Sequence, residues 1–171
     1  MALTFIVGRA ADAYGGAFAR AVDAALAQVF TPPAGAPLEP YQSEPVDVSG
    51  WRLLQQRVLR DFDTATFPQL TTVEAYQAVY VPRDAASIEL AAIPQAADPL
   101  QIGSLPRLIE ELRRFAAHAS LPTDDVELMK LVVHYLEAED PDADLDVQTY
   151  VQLMLSARQA VARGQALFVV V

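Results

Sequence analysis

The residues of this chain best suited to chemistry are carboxylates, and six of them crowd into ten positions: Glu137, Glu139, Asp140, Asp142, Asp144 and Asp146. Carboxylate oxygens can bind hard cations, relay protons, or attract a cationic surface. The alternate spacing of Asp140, Asp142 and Asp144 matches the first three ligands of an EF-hand calcium loop. The match then stops. The sixth position is Leu145 where the turn needs glycine, and the twelfth is Val151 where a bidentate glutamate closes the site. Three readings stay open for this segment: an irregular cation site, a solvated connection between helices, and a docking surface for a basic partner.

The remaining candidates are few. His118 and His134 are the only histidines, and neither stands in an HExxH arrangement. Zinc held by side chains needs several His or Cys ligands, and the chain has no cysteine. That absence also excludes disulfides, thiol redox pairs and a thiolate nucleophile. Either histidine could act as a general base beside a carboxylate, so an enzyme or cation-dependent protein of an unfamiliar family, using carboxylates with His134 or His118, is one expectation. His134 falls in the apolar stretch Leu131 to Leu136, where a buried, hydrogen-bonded histidine is the simpler expectation. His118 is placed at a helix end, where a cation suits the dipole. Neither phosphate-cradling glycine pattern occurs, and no serine sits in a GxSxG elbow. Gly15-Gly16 reads as a strand-to-helix turn and Ser104 as a helix cap. No cofactor and no defined metal-ligand set are expected.

Charge sharpens the picture. The chain has 22 acidic and 12 basic residues, for a formal charge of −10. Between Ser120 and Gln148 nine acidic residues face Lys130 alone, leaving −8 in that segment and −2 in the rest. A field so concentrated speeds encounter with a cationic surface. It opposes nucleic acid, which is bound by neutralising phosphates, and an anionic membrane.

These groups need elements to position them. At 171 residues the chain fits one domain, 1–171, and a mean hydropathy of +0.20 is too apolar for a disordered acidic tail. Leu3 to Val7 and Ala166 to Val171 are apolar strands suited to the middle of a helix-covered sheet. Val73 to Val81 and Ser87 to Ile93 read as a hairpin about Pro82-Arg83-Asp84-Ala85. Helical spacing follows Gly16 (Phe18, Val22, Leu26), then recurs at Trp51, Leu54, Val58 and Phe62 with Arg52, Arg57 and Arg60 outside. Ser104 opens a helix with Leu105, Leu108, Ile109, Leu112, Phe115 and Ala116 inward and Glu110, Glu111, Arg113 and Arg114 toward water. Thr123 or Asp124 opens another, expected at the centre of the helical layer. Asp146 or Val147 opens a third, closed at Gly164. Pro32, Pro33, Pro37, Pro40 and Pro45 make 31–48 a surface loop within the domain. The expected fold is α+β: a small mixed sheet of about four strands with three to four helices packed mainly on one face. With no basic leader before the first apolar run and no stretch of about 18 apolar residues, the expectation is a soluble cytoplasmic protein.

A small, acidic, cysteine-free α+β chain resembles the immunity proteins of bacterial toxin systems. The similarity lies in size, charge and layout, with the helix Ser104-Leu105-Pro106-Arg107-Leu108-Ile109-Glu110-Glu111-Leu112 and the closing helix Ala157-Arg158-Gln159-Ala160-Val161-Ala162-Arg163-Gly164 before a terminal strand. Thirty alanines and a single lysine against eleven arginines fit a GC-rich bacterial genome. The resemblance implies a non-enzymatic protein that neutralises a cognate toxin; the segregated charge makes Glu137, Glu139, Asp140, Asp142, Asp144 and Asp146 the residues expected against the toxin's basic site, with neither nucleic acid nor membrane as partner. A further expectation is an assembly or scaffold subunit, with Trp51, Tyr41 and the proline-rich loop as an exposed apolar contact.

Overall fold

The structure, a computed structural model, describes residues 1–35, 39–94 and 96–171. In chain order its elements are β1 (Ala2–Gly8), α1 (Ala10–Ala13), α2 (Gly16–Leu26), β2 (Tyr41–Gln42), β3 (Val46–Asp47), α3 (Ser49–Asp61), α4 (Pro68–Thr71), β4 (Ala78–Val81), β5 (Glu89–Ala91), β6 (Leu100–Ser104), α5 (Leu105–Ala119), α6 (Asp125–Leu136), α7 (Leu145–Arg163) and β7 (Ala166–Val170).

The two apolar strands take the places their composition demands. The sheet runs β2-β1-β7-β4-β6-β5, with β3 as a second short partner on the outer edge of β1. β7 pairs antiparallel with β1 over its whole length, Gly8 opposite Ala166 and Thr4 opposite Val170. Side chains alternate between two cores, as the strand period requires. Tyr80, Leu167 and Val169 enter the larger core with α3, α4, α5, α6 and α7, whereas Val79, Val81 and Phe168 meet α1 and α2 on the opposite face. The helices thus lie mainly on one face, but seven occur among the described residues, not three to four. The mixed sheet has six strands in line plus β3, where about four were expected.

The hairpin expectation fails in an instructive way. β4 does not pair with β5. It pairs parallel with β6 and antiparallel with β7, and β5 is the edge strand, antiparallel to β6. The chain leaves β4, passes one strand position to lay down β5, and turns back to fill the gap. β6 escaped notice because it is short and contains Gly103. That glycine is required: a Cβ there would sit 2.5 Å from the Tyr80 ring and 2.7 Å from Gln69 Oε1.

The proline-rich stretch is less open than expected. Tyr41–Gln42 and Val46–Asp47 add two short edge strands to β1. Between them Ser43 keeps the edge satisfied, its Oγ accepting the Phe5 N–H at 3.0 Å and its own N–H reaching the Phe5 carbonyl at 3.0 Å. Pro37 lies outside the described residues.

Helix ends follow their sequence signals. Ser104 Oγ accepts the Arg107 N–H, Asp124 Oδ1 accepts the Glu127 N–H at 3.0 Å, and Gly164 closes α7 at φ 61°. The last helix opens slightly before the expected Asp146 or Val147, at Leu145, with Asp144 as its left-handed N-cap at φ 51°. Aspartate tolerates that conformation better than most side chains. Among the described residues no helix is long and apolar enough to cross a membrane.

Candidate functional site

The acidic segment forms the turn between α6 and α7, and its own polar groups fold it. Asp140 Oδ1 accepts the Asp142 N–H at 3.0 Å, a local turn that aspartate favours. Gln148 Nε2 donates to the carbonyls of Pro141 (2.9 Å) and Ala143 (2.7 Å), holding the turn against the first turn of α7. Glu137, Glu139, Asp140, Asp142 and Asp144 are exposed. Among the described residues the carboxylates of Glu137, Glu139 and Asp142 meet no hydrogen-bond or ion-pair partner. Asp144 Oδ2 accepts the Tyr135 hydroxyl at 3.4 Å. Asp146 differs. Its Oδ2 lies 2.6 Å from Arg57 Nη1, both groups largely covered, and the same guanidinium lies over the Phe115 ring. Its charge is used inside the molecule, tying α7 to α3.

The turn forms one wall of a groove of about 450 Å³. Val132, Leu136 and Val151 give it an apolar floor, with Gln152 beside them, while Glu44, Asp47 and Asp142 stand around it. Asp47 is engaged by the Met1 amino group and by Ser49. An apolar floor under an acidic rim suits a long cationic side chain, whose methylenes and charge would be satisfied together.

The carboxylates do not gather as cation ligands. Among the described residues no three His, Asp or Glu side chains are placed to hold a metal ion. The histidines also stand apart from this turn's carboxylates in role. His134 is exposed rather than buried, its ring edge-on to Tyr135. His118 Nε2 is 3.0 Å from Asp61 Oδ2, against the Phe62 ring. That histidine–carboxylate pair is half-exposed at the far end of α5, and neither residue lines the groove. Trp51 is not an exposed contact: it is buried, and its Nε1 donates to the Val73 carbonyl at 3.1 Å. Tyr41 is half-buried beneath the Arg163 guanidinium.

Sequence reasoning missed a buried polar cluster. Glu111, expected to face water, is 5% exposed. Its Oε1 accepts the Gln69 N–H at 3.0 Å and its Oε2 the Leu70 N–H at 2.9 Å. These are the orphan donors at the start of α4, which its N-cap residue Phe67 leaves uncapped. Tyr80 donates to the Gln69 carbonyl at 2.7 Å, and Gln69 Oε1 accepts the Ser104 N–H at 2.8 Å. Burial pushes the Glu111 carboxyl up to about 7, against the opposing pull of the two N–H groups and Arg114.

No family model, curated protein or solved structure matches this chain.

Proposed function

We propose that this chain is a non-enzymatic protein-binding domain of the immunity type, neutralising a cognate bacterial toxin by setting its acidic turn against the toxin's basic site. The observation that carries the reading is the unspent charge. Glu137, Glu139 and Asp142 face solvent with no internal counter-ion among the described residues, at the centre of a segment holding −8. Exposed charges of one sign, fixed on a turn pinned by Gln148, accelerate association with a basic surface and set its register. The groove beside them gives that surface an apolar foothold.

The test is coexpression with the product of the adjacent gene, followed by capture at physiological salt. A basic partner should be retained. The triple variant Glu137→Gln/Glu139→Gln/Asp142→Asn should bind it about tenfold more weakly, mainly through a slower on-rate at low salt. Its stability should stay within about 0.5 kcal/mol of the parent, because none of the three side chains has an internal partner. Loss of the salt dependence without loss of affinity, or failure to retain a basic protein, defeats the reading. Asp146→Asn provides the contrast: it breaks the Arg57 pair and should lower the melting temperature.

A further inference from the structure

α6 carries more apolar surface than its neighbour covers. Leu128 and Val132 are buried against α7. A second stripe, Val126, Met129, Val133 and Leu136 at i, i+3, i+7 and i+10, is left 66%, 49%, 49% and 63% exposed. Scattered exposed apolar residues are ordinary. Four in one row with the spacing of a coiled-coil seam are a docking feature. The helix expected at the centre of its layer therefore stands at the outside with a face unpartnered.

The charge around the stripe decides its occupant. Asp124, Asp125 and Glu127 surround its start, and Glu137 and Glu139 follow its end. Two of these are already paired, Glu127 with Lys130 at 2.6 Å and Asp125 with Arg158 of α7, whereas Asp124, Glu137 and Glu139 have no ion-pair partner among the described residues. A second copy laid on the stripe would set the unpaired carboxylates at its ends against others of the same sign, which is repulsive in either helix direction. An anionic membrane surface is repelled in the same way. A helix with its own apolar stripe and lysines or arginines along both flanks satisfies the apolar row and the carboxylates together.

We propose that the outer face of α6 seats a basic amphipathic helix of the partner. The proposal rests on the partner-binding reading above and specifies what the partner presents. Leu136 belongs both to the stripe and to the apolar floor of the groove, so the seat runs on into the acidic turn.

The probe is a synthetic leucine–lysine peptide with leucines at helical spacing, compared by calorimetry at about 0.15 M salt with a peptide of the same composition and scattered leucines. The patterned peptide should bind at least about tenfold more tightly. Met129→Ser/Val133→Ser should remove that advantage while the melting temperature holds, since both side chains are half-exposed. Equal binding of the two peptides, or no binding of either, overturns the proposal. So does a wild-type dimer in sedimentation that the double variant returns to monomer, which would show a second copy on the stripe. Failure here and failure of the toxin-docking reading are separable. A cognate basic protein captured equally well by the Met129→Ser/Val133→Ser variant, but lost from the acidic-turn variant, sinks the helix seat alone. A peptide preference with no basic protein captured sinks the toxin reading alone.

Discussion

Gly50→Ala is expected to destabilise the protein by about 2–3 kcal/mol, lowering the melting temperature by roughly 5–12 °C. Gly50 stands in the first turn of α3, where α3 and α7 make the most extensive helix–helix contact of the molecule. A methyl group there would collide with Thr149 Oγ1 and come within 2.6 Å of the Leu145 carbonyl oxygen. Thr149 cannot swing aside freely, because it is fully buried and its hydroxyl donates to that same carbonyl at 2.8 Å. Leu145 is backbone, so relief requires the two helices to part. Because the collision falls on the first turn of α7, the displacement reaches the acidic turn and the Arg57–Asp146 pair as well. Thermal and urea unfolding measure the loss. A cost below about 0.5 kcal/mol would mean that the helices do not cross this closely.

The second large effect lies at Glu111. Its folded value of about 7 stands above the unfolded value of 4.5, because burial disfavours the charge. The folded state therefore binds more protons across that window, and linkage makes stability fall as pH rises through it. The contribution is complete below about pH 4.5 and lost above about pH 7, and it amounts to at most about 3 kcal/mol. Glu111→Gln does not titrate and should flatten this part of the pH profile relative to the parent. Glu111→Ala should cost about 2–5 kcal/mol at pH 4.5, since the N–H groups of Gln69 and Leu70 then lie buried without an acceptor, and less at pH 8, because the parent has by then lost its own protonation-linked contribution. Chemical denaturation from pH 4.5 to 8 on the three proteins separates these effects. Parallel profiles for parent and Glu111→Gln would assign the slope to other groups.

What the sequence made legible followed from strong local signals. The apolar runs at Leu3 to Val7 and Ala166 to Val171 found the sheet centre, the second one residue longer than the strand, and Ser104, Asp124 and Gly164 marked helix ends because caps are set by nearest neighbours. Pairing was not legible. β4 and β5 look like a hairpin because a turn sequence lies between them, and only the non-local choice of β6 as partner to both decides otherwise. Glu111 carried a signal that was outweighed by its charge. It lies three residues after Leu108 and four before Phe115, on the inward stripe, and its partners come from α4, which has only Pro68 to announce it. For the site, the charge and its location were plain in the sequence. The exposure of Val126, Met129, Val133 and Leu136 was not, because periodicity shows that a face is apolar and cannot show that nothing covers it.

The placement of β7 between β1 and β4 bears on how the chain is made. During synthesis the inner edges of β1 and β4 emerge long before residues 166–170, and until those residues arrive both strands offer unpaired backbone N–H and C=O groups to any other chain. The pairing of Thr4 with Val170 also joins residues far apart in sequence, so the sheet is completed late. A nascent chain stopped short of β7 is thus not a smaller version of this protein but a sticky one.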